Sequence, residues 1–229
     1  MDVPGNLYYT IDDIRLQFGD KIARLVEGLQ HINKILESAD SGVGTDGPDK
    51  AQEMENFKLV LLTLGDDVRV LLIKMAERLQ LCRVLDSLPR DSQERILSET
   101  MHIFIPLAHR LGLYSIKSEM ENLWLKYEHP DEYAEIIGRT DKDVAARARD
   151  IDEFIGPISD ALTQRGCRFE VKKRIKTPYS IWHKMQTKHV PFEQIYDLYA
   201  VRIIFDPSSP ETEREQAYTI YSIVTQMYT

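Results

Sequence analysis

The chain has 229 residues, of which 43% are hydrophobic, and it carries a formal net charge of −8 at pH 7. This length allows one good hydrophobic core or two smaller ones, and we expect two domains. No apolar run approaches the ~20 residues of a membrane span, and the acidic N-terminus does not resemble a signal peptide, so we expect a cytoplasmic protein without a membrane partner.

The first two thirds of the chain have the periodicity of helices. Thr10 and Asp13 have the spacing of a capping box, and apolar residues then recur at helical spacing as far as Leu36. A loop rich in Gly, Asp and Ser is predicted at 38–52. Asp91 or Ser92 is expected to cap a later helix. The predicted helices cover 10–37 with a break near Gly19, 53–88 with a break at Gly65, 91–111, 114–129, 130–137 and 140–165 with a possible kink at Pro157.

The periodicity changes after Gly166, which is expected to end the last of these helices. Alternating residues predict a strand at 167–175, and the apolar segment at 199–206 predicts a buried strand. Each is followed by a predicted helix, and Pro178 lies in the first turn of the helix after the first strand. Two strands leave bare sheet edges, so the α/β unit looks incomplete. We therefore predict a mainly α protein, with a helical domain at 1–128, connecting helices at 129–165 and the first part of an α/β unit at 166–229.

A strip of cations stands out in this acidic chain, because residues 165–188 hold eight Lys or Arg and only one acid. Arg174 and Lys176 lie on one side of the predicted strand, and Ser180 and Lys184 lie on one face of the next helix. A strand-to-helix junction with cations, a hydroxyl and free N–H groups is suited to a polyphosphate.

Composition alone favours a solvated basic surface, with a polyphosphate site second and a nucleic-acid surface third. Asp197 enters the second strand between apolar neighbours. It is either a cap of the strand or a ligand of Mg²⁺, an ion that proteins usually hold with one or two carboxylates and substrate phosphates.

Several segments carry a resemblance to a known family. "RIKTPYSIWHKM" and "PFEQIYDLYAVRII" resemble the start of the synthetase domain of the RelA/SpoT family, and "DDVRVLLIKMAERL" and "IPLAHRLGLYSIKSEMENLWLKYEHPDEY" resemble segments upstream of it. The resemblance covers nearly the whole chain. It implies a helical HD-type hydrolase-like domain followed by the first part of an α/β nucleotidyltransferase-like synthetase domain.

The family makes and breaks the alarmone (p)ppGpp of the stringent response. Its synthetase domain transfers pyrophosphate from ATP to the 3′-oxygen of GDP or GTP with Mg²⁺, and its HD domain removes it with Mn²⁺. By resemblance the ATP-phosphate contacts are Arg174, Lys176, Ser180 and Lys184, and the Mg²⁺ ligand is Asp197. Arg202 is a weaker candidate for a contact in this site, because its strand position could equally be structural. The family's later synthetase elements lie beyond Thr229, so we expect the chain alone to lack synthetase activity.

The hydrolase half departs from the family pattern. Of the family's H-D-x-x-E-D motif only the first Asp is kept, because the four places hold Met1, Asp2, Gly5 and Asn6. Glu77 replaces a metal-ligating Asp, and Leu81 and Val84 replace an Asn and a Thr that contact nucleotide. Apolar or missing ligands cannot hold Mn²⁺, so we expect an inactive hydrolase that binds no Mn²⁺.

These observations favour a fragment of a GTP pyrophosphokinase with ATP and GDP or GTP as ligands. The resemblance also allows a ribosome or a regulatory protein as a partner. Two alternatives remain, namely a non-catalytic nucleotide-binding or regulatory module of the same family, and RNA binding by the basic strip.

Overall fold

The computed structural model describes residues 9–40 and 67–228. Contacts divide the chain into two units, Met1–Trp124 and Leu125–Thr229. Residues 38–40, which were predicted to begin the loop at 38–52, belong to a helix instead. The rest of the predicted loop and the predicted break at Gly65 lie outside the described residues.

The first unit is helical in the part that the structure describes. A 3₁₀ turn lies at Leu85–Ser87, and a π-helical segment at Thr100–Phe104 joins two of its helices. The helices are α1 (Ile11–Phe18), α2 (Asp20–Asp40), α3 (Val68–Arg83), α4 (Arg90–Glu99), α5 (Ile105–Arg110) and α6 (Tyr114–Glu128), the last of which ends in the second unit.

The second unit holds two strands among helices. Its elements after α6 are α7 (Pro130–Gln164), β1 (Arg168–Ile175), α8 (Pro178–Lys188), β2 (Tyr199–Asp206) and α9 (Glu213–Met227). A mainly α chain that ends in a small α/β part is therefore confirmed. None of the helices in the described ranges is long and apolar enough to cross a membrane.

The start of α1 follows the sequence prediction. The Thr10 side chain accepts a hydrogen bond from the Asp13 N–H at 3.2 Å, and the Asp13 carboxylate accepts one from the Thr10 N–H at 2.7 Å. These bonds complete a capping box and lower the pKa of Asp13 below its usual value. Gly19 adopts φ 84° between α1 and α2, a conformation that favours glycine, so the predicted break is confirmed.

The core of the first unit is built on α3. Leu71 and Met75 are almost fully buried there, and burying a side chain of this size contributes about 1.5–3 kcal/mol. Gly28 on α2 lies so close to α3 that a Cβ at this position would be 2.9 Å from a methyl group of Val70. The absence of a side chain at Gly28 therefore sets how closely α2 approaches α3.

Two helix boundaries differ from the prediction. Helix α4 begins at Arg90 with Pro89 as its N-cap, so the expected cap at Asp91 or Ser92 is wrong. Helix α7 is continuous from Pro130 to Gln164, although two helices were predicted there. A glycine such as Gly138 lowers helix propensity by about 1 kcal/mol but keeps its N–H, so it does not by itself end a helix.

The sheet is one antiparallel pair whose register runs from Arg168 opposite Asp206 to Ile175 opposite Tyr199. One side of the pair, which includes Phe169 and Ile203, packs against buried residues of α7 and α9. The other side carries the exposed even-numbered residues. The prediction of a buried strand at 199–206 is therefore wrong, because β2 is covered on one side only. Alternation along both strands thus leaves one sheet face open among the described residues.

Gly166 ends α7 as predicted. It adopts φ 70°, its N–H donates to the Thr163 carbonyl at 2.9 Å, and the Cys167 N–H donates to the Leu162 carbonyl at 3.1 Å. This is the Schellman arrangement, which satisfies the last carbonyls of a helix. It directs the chain from α7 into β1.

Candidate functional site

The junction between β1 and α8 is fixed by backbone bonds and by a helix cap. The Lys176 N–H donates to the Leu198 carbonyl at 2.9 Å, which continues the strand pairing one residue past β1. Thr177 then has extended backbone and is the N-cap of α8; its Oγ1 accepts from the Ser180 N–H at 3.4 Å and donates to the Ser180 Oγ at 2.8 Å. Thr177 followed by Pro178 is a sequence signature of such a cap. The sequence predicted Pro178 in the first turn correctly, but the cap at Thr177 was missed.

Three charged side chains meet beside this junction. The Lys176 ammonium contacts one oxygen of the Asp197 carboxylate at 2.7 Å, and the Lys184 ammonium contacts the other at 2.5 Å. Lys176 follows β1, Lys184 lies on α8, and Asp197 precedes β2. We call this group, Lys176, Lys184 and Asp197, the lysine–aspartate clamp.

The clamp keeps its carboxylate ionised. The Lys176 ammonium, followed by the Lys184 ammonium, holds the pKa of Asp197 well below its usual range, and this effect exceeds the opposing effect of burial. The Asp197 side chain is 54% exposed, and the two lysines are 23% and 25% exposed. Ion pairs this exposed are worth only about 0.2–1 kcal/mol, so an incoming ligand can replace them.

The donor set of the clamp fits a Mg²⁺ ion that is shared with phosphate. Within the described ranges, no three His, Cys, Asp or Glu side chains are grouped as a metal site. One carboxylate completed by substrate phosphates and water is a usual shell for Mg²⁺. Asp197 would hold the ion, and the two lysines would hold the phosphates that complete its shell.

The other predicted ATP contacts lie close in sequence to the clamp but outside it. Ser180 is half-buried in the first turn of α8, where its hydroxyl accepts a hydrogen bond from the Thr177 hydroxyl. Arg174 is exposed on β1, opposite Ala200, and Arg202 is exposed on β2. The structure thus brings together two of the four predicted cation and hydroxyl positions with Asp197.

Two open clefts flank Tyr196, the residue before Asp197. Their volumes are about 570 and 490 Å³, and Tyr196, which is 90% exposed, belongs to the lining of both. The lining of neither cleft includes a residue of the clamp. The clamp therefore lies outside these two clefts.

The predicted hydrolase positions are only partly described. Met1, Asp2, Gly5 and Asn6 lie outside the described residues. Glu77 on α3 accepts a hydrogen bond from the buried Lys74 ammonium at 2.7 Å, and Lys74 also donates to the Asn33 side chain at 2.8 Å. Leu81 is half-buried on α3, and Val84 is the exposed residue that ends it.

Comparisons with known proteins agree for both units. The family model of an HD domain matches residues 1–114, and the model of a region found in RelA/SpoT proteins matches residues 173–229. The chain is 33% identical to a GTP pyrophosphokinase of Myxococcus xanthus over 99% of its own length. It is 32% identical to a guanosine-3′,5′-bis(diphosphate) 3′-pyrophosphohydrolase of Aquifex aeolicus over 96%, and 34% identical to a GTP pyrophosphokinase rsh of Brucella ovis over 86%.

The chain spans 29%, 29% and 25% of the lengths of these three relatives. The order of the two matched regions is the order in which the structure places a helical unit and a strand-containing unit. With relatives aligned over nearly all of its residues, the chain belongs to the RelA/SpoT family.

Proposed function

We propose that the second unit supplies the ATP-phosphate and Mg²⁺ contacts of a GTP pyrophosphokinase, which transfers pyrophosphate from ATP to GDP or GTP. The observation that carries this proposal is the lysine–aspartate clamp, in which cations from two elements converge on one ionised carboxylate. Relatives named GTP pyrophosphokinase support the choice of reaction.

The role of each clamp residue follows from its position. In the free chain the two ammonium groups neutralise Asp197. A bound triphosphate carries several negative charges, whereas the Asp197 carboxylate carries one, so its oxygens would take over the contacts to Lys176 and Lys184. Asp197 would then be free to ligate the ion that enters with the phosphates.

Pyrophosphate transfer requires mainly alignment and neutralisation of charge, because the protein contributes little covalent chemistry to such a reaction. Bound Mg²⁺ supplies charge stabilisation at the phosphate oxygens. Lys176 lies just after the end of β1 and Lys184 lies on α8, so the two would fix the phosphate chain from two directions. Arg174 and Ser180 are proposed as further phosphate contacts beside them.

For the first unit, the proposal is that it does not hydrolyse (p)ppGpp and holds no catalytic Mn²⁺. The observation that supports it is the Lys74–Glu77 contact at 2.7 Å at the position of the family's metal-ligating Asp. A buried ammonium at this distance competes with a metal ion for the same carboxylate. The substitutions at Leu81 and Val84 remove polar groups from the same helix.

The clamp is tested by neutralising its lysines one at a time. Lys176→Gln and Lys184→Gln should each weaken the binding of Mg²⁺ and a non-hydrolysable ATP analogue, measured by titration calorimetry. Each change removes one charged hydrogen bond of about 1.5–3 kcal/mol, so the expected loss is roughly 10- to 150-fold.

Lys188→Gln is the matched control, because Lys188 is an exposed lysine in the last turn of the same helix. If the affinity for the ATP analogue is unchanged in both clamp variants, the cations at 165–188 are better explained as a solvated basic surface.

A further inference from the structure

Two hydroxyl groups lie in contact at the start of α8, next to the lysine–aspartate clamp. The Thr177 hydroxyl donates to the Ser180 Oγ at 2.8 Å, and it also accepts from the Ser180 N–H at 3.4 Å. Thr177 directly follows the clamp residue Lys176, and Ser180 lies four residues before Lys184, on the same face of α8. The backbone therefore holds the two hydroxyl groups close to both lysines of the clamp.

The contacts between the two residues decide where each hydroxyl proton points. A hydroxyl group has one proton to donate and two lone pairs to accept with. The Thr177 oxygen accepts from the Ser180 N–H, and the Thr177 proton is donated to the Ser180 oxygen. The Ser180 oxygen is the acceptor in this pair, so its own proton points elsewhere. No group in the described part of the chain accepts that proton, which leaves Ser180 with an unused donor.

The chain of hydrogen bonds strengthens this donor. It runs from the Ser180 N–H through the Thr177 hydroxyl to the Ser180 oxygen, and bonds in such a chain polarise one another. Ser180 is half-buried, so its surroundings screen the effect less than bulk water would. A phosphate oxygen is a charged acceptor and forms a stronger bond with a hydroxyl than a neutral acceptor does. Ser180 is thus prepared as a donor to phosphate before the nucleotide binds.

We propose that Thr177 is a positioning residue of the ATP site, whose hydroxyl holds Ser180 with its proton directed at a phosphate oxygen. The inference rests on the proposed function, in which Ser180 is a further phosphate contact. Thr177 acts only through Ser180 and does not touch the phosphate itself. This role differs from that of the helix cap. The cap needs only the Thr177 oxygen, which accepts the Ser180 N–H, whereas positioning needs the proton that Thr177 donates.

The test is a double-mutant cycle on the affinity for the non-hydrolysable ATP analogue with Mg²⁺, measured by titration calorimetry. Ser180→Ala should weaken binding roughly 10-fold, because it removes a hydrogen bond to a charged acceptor. Thr177→Val keeps the branched shape without the hydroxyl, and it should weaken binding about 2- to 10-fold, the effect of one ordinary hydrogen bond. In the Ser180→Ala background, Thr177→Val should leave the affinity unchanged, because the group through which Thr177 acts is gone.

Three variants separate positioning from a purely structural role. Thr177→Ser keeps the hydroxyl and should bind the analogue as the wild type does. Thr177→Val should lower the free energy of unfolding even in the Ser180→Ala background, because the Ser180 N–H still loses its cap there. Thr10→Val is the matched control, since it removes the threonine cap of α1. This control should lower the free energy of unfolding and leave the affinity for the analogue unchanged.

Three results would overturn the inference. They are an equal loss of affinity from Thr177→Val with and without the Ser180 hydroxyl, an unchanged affinity in Ser180→Ala, and a loss of affinity in Thr177→Ser as large as in Thr177→Val. In each case Lys176→Gln and Lys184→Gln still report the clamp, so the proposed function is judged separately. No binding of the analogue by the wild-type chain would contradict the proposed function and this inference together.

Discussion

Replacing Asp197 by Asn should have opposite effects on ATP binding with and without Mg²⁺. In the free chain the Asp197 carboxylate occupies both clamp lysines, at 2.7 and 2.5 Å. ATP without metal must displace the carboxylate from both ammonium groups, whereas ATP with Mg²⁺ gives the carboxylate a new partner. Asparagine keeps the size of the side chain and removes its charge.

The magnitude follows from the exposure of the pairs. Exposed ion pairs contribute about 0.2–1 kcal/mol each, so two of them oppose metal-free ATP by roughly 0.4–2 kcal/mol. Asp197→Asn should therefore tighten metal-free binding about 2- to 30-fold. In Mg²⁺ the same variant should bind more weakly than the wild type, because the ion loses its protein ligand.

The assay is the dissociation constant of a fluorescent ATP analogue, measured once in excess EDTA and once in Mg²⁺. The control is Asp160→Asn, a change at an exposed carboxylate on α7, which should alter neither value. Weaker binding of Asp197→Asn in EDTA would refute the reasoning, because it would mean that the carboxylate does not compete with phosphate for the lysines.

Three further outcomes are expected. Thr177→Ala should lower the free energy of unfolding, measured in urea, by about 1 kcal/mol because α8 loses its cap. Thr177→Ser should keep most of this stability, since serine is also a good cap, and an equal loss in both variants would exclude the cap as the cause. Because the folded pKa of Asp197 is below the unfolded value of about 3.9, its contribution to stability should be complete above roughly pH 5 and lost as the pH falls through the folded pKa. The stability difference between wild type and Asp197→Asn should shrink over that interval, and a difference that grows in acid would contradict the pairing. After incubation with Mn²⁺ and dialysis into metal-free buffer, the chain should retain no stoichiometric metal, and it should not degrade (p)ppGpp. Retained metal together with (p)ppGpp breakdown would contradict the prediction of an inactive hydrolase.

Patterns with a local physical cause were predictable from the sequence. The capping box at Thr10 and Asp13 and the glycine stop at Gly166 depend on neighbouring residues only, and both lie where the sequence predicted them. The alternation at 167–175 also predicted strand β1. Such features need no knowledge of distant contacts.

Features that depend on contacts across the chain were not predictable in the same way. Helix α7 continues through Gly138, and the buried Ile136 just before it packs against residues far along the sequence, including Ile181. Helix propensity depends only on the local residue type, and a glycine at this position favours a break. The Lys74–Asn33 contact joins residues 41 positions apart, so the position of Glu77 in this polar group was not visible from its own segment.

The candidate site was also predictable from the sequence only in part. Spacing predicted that Lys176 and Lys184 could converge, because each lies on a defined side of its own element. The direct contact of both with Asp197 depends on how β2 pairs with β1, which the sequence leaves open. The position of Lys172 opposite Arg202 likewise becomes visible only when the register is known.

The central claim is that Lys176, Lys184 and Asp197 hold a Mg²⁺–triphosphate group. The most direct measurement is a crystal structure of the chain with Mg²⁺ and a β,γ-imido analogue of ATP. The account predicts phosphate oxygens within hydrogen-bond distance of both lysine ammonium groups, with an Asp197 oxygen about 2.1 Å from the ion. An analogue bound elsewhere, with both lysines still paired to Asp197, would contradict it.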